Sequence, residues 1–483
     1  MRGYDPGLMS DHLSSIRATL ETHGQSHLLA FYDDLSESEQ ARLLEQLEHI
    51  DFAGLEALID TYVRAGAQSE VPANLQPAPY YPLRPGSTDD AAQYRAAGTD
   101  LIRAGKVAAL AVAGGQATRL GRNSPKGTYP ATVVTGKPLF RVLAEQIVAN
   151  QNRYRVTIPW YIMTSPQNDA ATRAFFRDNN CFGLNRRNIF MFPQGLLPSI
   201  DASSGKLLLS EKGAVAMNPD GHGGCIKALA ASGAIHDMVA RGIEHTSYFQ
   251  VDNPLVKVID PLFVGLHAAA SDSSAEMSSK MVPKAHPQEK VGVFCRSDGK
   301  TIVIEYSDLP EQLAQQRDEA GHLRFLAGSI AIHMISVKFI QKLTADPLRQ
   351  ALPYHRAEKT VPFIDPKTGR RVEPAQPNAV KLEMFVFDAI PLAKSSILYE
   401  TSRVEEFAPI KNARGEDSPM TSHQLQSDRG GAWLEAHGVK VPRDAEGHVA
   451  AKIELGPLTA LACDDLAGID LPAVIQPGAS IVL

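Results

Sequence analysis

The sequence predicts an α/β protein: a mixed, mainly parallel sheet clothed by helices, with a helical region before it and a small β-rich domain after it. Three observations predict this. From about residue 100, strand-sized apolar runs alternate with segments of helical spacing. A proline-rich connector separates that alternation from a helical start. The final stretch then shifts to short, isolated apolar runs. Alternating strand and helix gives a parallel sheet whose ligands gather at the strand carboxyl ends.

Near the N-terminus, "LSESEQARLLEQLEHID" begins with Ser36 and places Glu39 three residues on, a capping box, after which Leu43, Leu44, Leu47 and Ile50 follow one helical face. "VPANLQPAPYYPLRPGS" then carries five prolines between Pro72 and Pro85, too many for a helix or a central strand. "VAALAV" reads as a buried parallel strand, and "PLFRVLAEQIVANQ" as a helix with Leu139, Val142, Leu143 and Ile147 on one side. "WYIMTS" and "TSYFQVDN" are further strands, with helix in "GGCIKALAASGAIHDMVARG" between them. "TIVIEYS" and "LEMFVFD" are strands of the same or an adjoining sheet, and "AAKIEL", "AVIQP" and "SIVL" belong to the β-rich end. The expected domains are 1–90 (helical, with the connector), 91–398 (central α/β) and 399–483 (β-rich).

At 483 residues the chain has room for two or three cores, and 44% hydrophobic with 21% charged residues is ordinary globular composition. A net charge of −6 supplies no global basic field for nucleic acid or anionic membrane. No signal peptide or membrane-length apolar run is present, so a cytoplasmic location is expected. Cys181, Cys225, Cys295 and Cys463 are scattered without a C-x-x-C and are expected to be reduced, buried core residues. His245, His333 and His355 read as structural.

Against that acidic background, Leu101 to Ala144 contains no Asp or Glu and seven Lys or Arg. Within it lies "LAVAGGQATRLGRNSPKGTYP". A strand ends at Val112, Gly114 and Gly115 let the backbone turn tightly and expose N–H groups, and Arg119 and Lys126 add fixed positive charge. This is an anion site in outline. It matches neither G-x-G-x-x-G nor G-x-x-x-x-G-K-[ST], and Gly136 and Lys137 stand where a nicotinamide enzyme would carry an acid. No Ser-His-Asp, Cys-His or H-E-x-x-H arrangement emerges.

This loop resembles the signature of the eukaryotic-type UDP-sugar pyrophosphorylases, nearest to the UDP-N-acetylglucosamine pyrophosphorylases. "MFPQGLLPSID", "NPDGHGGCIKAL", "FQVDNPLVKVIDPLFVG", "KMVPKAHPQEKVGVFC", "VIEYSDLP", "LPYHRAEKTVPFID", "VKLEMFVFDAI" and "EEFAPIKNARGEDSP" follow in the family's order. The resemblance implies a Rossmann-like sheet of the nucleotide-diphospho-sugar transferase type. It also implies the reaction of UTP with a sugar 1-phosphate to give a UDP-sugar and pyrophosphate, with Mg²⁺ and no nucleophile. Two anionic substrates repel each other, so such catalysis is positioning and charge neutralisation. Carried over motif by motif, Gly114, Gly115, Arg119 and Lys126 hold phosphates. Gln194, Gly221 and His222 meet the nucleotide, and Asp252 binds Mg²⁺. Lys411 reaches the phosphates from the C-terminal side, and Gly292, Glu305, Ile332, Phe385 and Phe387 line the sugar pocket. Phe385 and Phe387 are expected to alternate on one strand face. A monomer or weak homo-oligomer is expected.

The chain departs from the family pattern in three places. Ala117 occupies the third glycine of G-G-Q-G-T, where a methyl would clash if positive φ were needed. His222 replaces the Asn of P-D-G-N-G-G, and G-H-G is the pattern of the UDP-glucose and broad-specificity enzymes. "GSIAIH" replaces G-N-I-A-N-H, so Ile332 has no amide to offer a sugar, a difference worth about 1–3 kcal/mol. N-acetylglucosamine 1-phosphate is the expected acceptor. The alternatives are glucose, galactose or N-acetylgalactosamine 1-phosphate, or a catalytically weak UDP-sugar-binding homologue.

Overall fold

The computed structural model describes residues 6–66, 71–83, 88–346 and 352–483. The chain divides into two units, each woven from three stretches: residues 1–70, 195–224 and 352–385 in one, and 71–194, 225–351 and 386–483 in the other.

The first unit joins helices to a small antiparallel sheet. Helix Glu37–Glu48 starts where its capping box predicts, with the Ser36 N–H donating to the Glu39 carboxylate at 2.9 Å, and it buries Leu43, Leu44 and Leu47. Side-chain amides tie these helices to the 200s: Gln25 accepts from the Leu207 N–H at 3.0 Å, and Gln46 from the Val215 N–H at 2.9 Å. The sheet runs His355–Lys359, Ala379–Glu383, Ile200–Asp201.

The second unit is built on a ten-stranded mixed sheet. Its strands are β1 (Gln76–Pro77), β2 (Val107–Val112), β3 (Trp160–Thr164), β4 (Ile189–Pro193), β5 (His245–Gln250), β6 (Met277–Pro283), β7 (Val293–Ser297), β8 (Lys300–Ile304), β9 (Ala327–Ser336) and β10 (Leu398–Glu400). The spatial order is β1-β7-β9-β5-β2-β3-β4, with β6 pairing with β9 and β10, and β8 with β7. β5, β2, β3 and β4 run parallel, so Val112, Thr164, Pro193 and Gln250 all end at one rim. β9 lies antiparallel to β5. It carries a register shift opposite Ser279–Met281, and Ala331 sits there at φ 54°. Beneath the parallel strands, Phe140, Trp160 and Phe176 interlock, with Phe140 and Phe176 centroids 4.9 Å apart.

"LEMFVFD" does not continue as a strand. The ladder stops at Glu383, and Val386–Leu392 is a 3₁₀ helix, so Phe385 and Phe387 do not share a strand face. The backbone of Met384 is taken up elsewhere: its N–H donates to Asp220 O and its carbonyl accepts from Gly223 N, both at 2.8 Å. The C-terminal region is also less β-rich than expected. Its main element is the 18-residue helix Pro419–Ala436, packed on a two-strand ladder of Lys452–Glu454 and Ser480–Val482, while "AVIQP" forms only a bridge at Val474. The Gly430–Gly431 pair disguises the helix. A Cβ at Gly430 would lie 2.7 Å from Ile453, and one at Gly431 2.5 Å from Val449, so glycine is what lets ladder and helix touch. None of the four cysteines forms a disulfide; Cys225 and Cys295 are buried and Cys181 and Cys463 half-buried. Among the described residues no helix is long and apolar enough to cross a membrane.

Candidate active site

The parallel rim of the second unit collects the acid-free loop. After β2 the loop closes on itself: Lys126 N donates to Gly115 O at 3.0 Å, Ala117 N to Ser124 O at 2.9 Å, and Gln116 bridges Pro125. Asn168, fully buried after β3, donates from Nδ2 to the carbonyls of Ala113 (3.0 Å) and Gly115 (3.3 Å). Its Oδ1 accepts from Ser165 N at 2.8 Å. The glycine turn is therefore held from below by an amide. Gly127 completes "PKG" for a steric reason, since a Cβ there would stand 2.2 Å from the Phe140 ring. Ala117 needs no glycine: it has φ −86° and is fully buried, its methyl accepted by the loop.

Closing the loop brings Lys126 to Asp252, which follows β5. Nζ and Oδ2 lie 3.2 Å apart, with the side chains 18% and 8% exposed. Asp252 also fixes the C-terminal segment, because its carbonyl accepts from Ile410 N at 2.9 Å. Lys411 follows directly, but its ammonium pairs with Asp417 at 3.2 Å and lies 5.5 Å over the Phe407 ring. Arg119 is exposed on the 3₁₀ turn Thr118–Leu120. Gln194, buried at the end of β4, abuts Gly114: a Cβ on Gly114 would lie 3.1 Å from its amide. Gly114, Gly115, Lys126, Gln194 and Asp252 thus share one rim.

The remaining candidates lie on other segments of the chain. Gly292 and Glu305 meet across β7 and β8, with Glu305 Oε1 3.2 Å from where a Gly292 Cβ would be, and Gly292 O accepts from Ser329 N at 2.7 Å. Ile332 is buried in the sheet's apolar core. It follows the register shift at Ala331 and is 2% exposed inside the apolar cluster that includes Ile330 and Met334. Phe387 is 7% exposed. In the first unit, Gly221 takes φ 86° and His222 stacks on Phe385 (5.2 Å, 18°), which also stacks with His355 (4.4 Å, 30°). The Phe385 ring is therefore flanked by two imidazoles. Burial first, and the neighbouring His355 second, push the His222 imidazole down to about 4, so it is neutral at pH 7. His245 and His333 are buried in hydrogen bonds to His267 (3.2 Å) and Ser279 (2.8 Å), the structural roles expected.

Sequence reasoning missed Asn168, whose signal was an Asn three residues beyond Ser165 at a strand end. It also missed Asn253 and Glu406, which no spacing distinguishes from other polar residues. Among the described residues no group of three or more His, Cys, Asp or Glu is placed to hold a metal ion. A cation here would have Asp252 and oxygens of a ligand as its donors, a set that suits Mg²⁺.

Cations, one carboxylate and a tight glycine turn gathered at a parallel-sheet rim suit the transfer of a phosphorus-centred group, where positioning and charge neutralisation carry the chemistry. The chain is a nucleotidyltransferase. It belongs to the UTP–glucose-1-phosphate uridylyltransferase family, whose model matches residues 63–437. It is 36% identical over 478 residues to the UDP-N-acetylhexosamine pyrophosphorylase-like protein 1 of Xenopus tropicalis, covering 93% of this chain and 92% of that protein. It is 35% identical over 447 residues to the UDP-N-acetylglucosamine pyrophosphorylase of Saccharomyces cerevisiae (89% and 93% covered). A Trypanosoma brucei uridine diphosphate N-acetylglucosamine pyrophosphorylase, solved with an inhibitor, superposes with a TM-score of 0.80 at 25% identity, covering 100% of this chain and 99% of that one.

Proposed function

We propose that the protein transfers a uridylyl group from UTP to a hexose 1-phosphate, N-acetylglucosamine 1-phosphate being the acceptor, with Mg²⁺ as its metal and a cytoplasmic location. The Lys126–Asp252 pair on the closed glycine loop carries this reading; membership of the family and the names of the yeast and trypanosomal relatives support it. A phosphate oxygen of the sugar 1-phosphate attacks the α-phosphorus of UTP. The new P–O bond forms as the bond to the β-phosphate oxygen breaks, and pyrophosphate leaves in line. In this reading the Gly114–Gly115 N–H groups, Arg119 and Lys126 bear the phosphates, and Lys411 joins them by exchanging Asp417 for a phosphate. Gln194 serves the nucleotide, while Gly292, Glu305 and Phe387 face the sugar. Asp252, helped by phosphate oxygens, would hold magnesium, which would neutralise charge on the triphosphate.

A second reading keeps the chemistry and changes the acceptor to glucose 1-phosphate or a broader set. His222 within G-H-G, Ser329 and the buried Ile332 favour it, since none supplies the amide an acetamido-selective pocket would use. Pyrophosphate release from UTP and Mg²⁺ against sugar 1-phosphates with and without the acetamido group tests both. Release restricted to acetamido sugars sustains the first reading, and release with glucose 1-phosphate selects the second. Silence across the panel, with UDP-sugar binding detected by calorimetry, would leave a binding protein without turnover.

A further inference from the structure

We infer that Asn253, Glu406 and Lys280 form a positioning chain that sets where Lys411 stands relative to Asp252; its catalytic meaning rests on the function proposed above. The observations start at Lys280, which is fully buried on β6. Its ammonium bonds Asp260 Oδ2 at 2.7 Å and Glu406 at 2.6 and 2.7 Å, and lies 5.3 Å over the Phe263 ring. Burial works against that charge, but Asp260 and Glu406 outweigh it and hold the lysine above its ordinary value. Glu406, also fully buried, accepts further bonds from Thr401 Oγ1 (2.8 Å) and Lys257 N (3.2 Å). The carboxylate therefore has one geometry, set from several sides.

What this immobile residue holds is the Asp252–Asn253 turn. Asn253 is 5% exposed, and its Nδ2 donates to the Glu406 carbonyl at 2.7 Å. Its Oδ1 accepts from Ala408 N at 3.1 Å and Leu255 N at 3.2 Å. One residue before Asn253 and two beyond Ala408, Asp252 O accepts from Ile410 N at 2.9 Å. One side chain thus stitches the end of β5 to residues 406–410, and Lys411 is the next residue out. Lys411 has no link of its own to Asp252, since its backbone and ammonium both bond Asp417. The span between a carboxylate at the end of one strand and an ammonium some 160 residues later in sequence is fixed by Asn253, with Glu406 and Lys280 as its footing. In nucleotidyl transfer such a span matters, because a charge misplaced by about 1 Å forfeits up to ~10²-fold in rate.

The test compares wild type with Asn253→Ala and Asn253→Asp, the latter keeping an acceptor for Ala408 and Leu255 while losing the donor to Glu406. Amide hydrogen exchange in the full chain, which needs no turnover, is read at Ile410. Exchange there should rise at least tenfold in Asn253→Ala, and less in Asn253→Asp, with β2 and β3 protected as in wild type. Pyrophosphate release should fall about tenfold or more in kcat, with KM for both substrates within about twofold of wild type. Unchanged exchange at Ile410 overturns the inference, and so does faster exchange with unchanged kcat. If Asn253→Ala fails to fold, Asn253→Asp decides by the same two readings. A wild type that binds UDP-sugar and releases no pyrophosphate would defeat the function proposed above, while exchange at Ile410 still decides whether Asn253 couples the two segments.

Discussion

At the carboxyl ends of β2 and β5, charged side chains are held in place by backbone hydrogen bonds and buried amides. Lys126 follows a loop pinned by Asn168, and Asp252 heads a turn pinned by Asn253. Along β7, β8 and β9 of the same sheet the arrangement is different. There Gly292, Glu305 and Ser329 meet through one backbone bond and a missing side chain, and Ile332 is sunk among aliphatic neighbours. The first region is specified by polar bonds that each have one solution. The second is specified by shape, which a handful of substitutions can redraw without disturbing the ladder. Of the chain's departures from its family's pattern in this unit, Ala117 falls in the first region and is absorbed by a turn with negative φ. Ser329 and Ile332 fall in the second, Ile332 among its aliphatic neighbours.

That contrast can be broken or sharpened by substitution. Lys280→Met leaves Asp260 and Glu406 buried without their cation and should cost about 3–5 kcal/mol of stability, measured by denaturant unfolding; a loss under about 1 kcal/mol would mean that the polar region is not held as described. Lys126→Ala should lower turnover at least ~10²-fold, and turnover equal to wild type would remove the loop from the active site. Ile332→Asn buries an amide in an apolar cluster and should cost about 1–3 kcal/mol. A variant as stable as wild type, with altered preference between acetylated and plain sugar phosphates, would instead put this side chain in the sugar pocket. Ala117→Gly should cost only about 0.5–1 kcal/mol and leave turnover alone; a faster variant would show that the methyl obstructs a phosphate.

The rim was legible in the sequence because its signals are local. A short apolar run, a glycine pair, "PKG" and "VDN" each sit at a strand end, and the parallel register places all strand ends together. The gathering of residues 195–224 and 352–385 with the N-terminal helices was not legible, because it depends on pairings between distant stretches such as Gln46 with Val215. The helix at Pro419–Ala436 was hidden by two glycines and a polar surface that reads as loop. Phe385 and Phe387 alternate as a strand would, yet Met384 is captured by the Asp220–Gly223 turn and the strand ends first. Burial was the hardest property to foresee: Ile332 has the position of a ligand contact and the environment of a core residue.

The 3.2 Å contact between Lys126 and Asp252 has one more consequence. A single ammonium and a single carboxylate are already each other's counter-ion, so neither charge is free until the other is given a substitute. Lys126 can leave Asp252 at low cost only when a phosphate takes the carboxylate's place, and Asp252 can release Lys126 only when another cation takes the ammonium's. In the function proposed above the two exchanges complete one another, which would make the affinities for nucleotide and divalent cation reciprocal. Each should bind weakly alone and tighten the other by the same factor, so the resting pair acts as a lock with two keys.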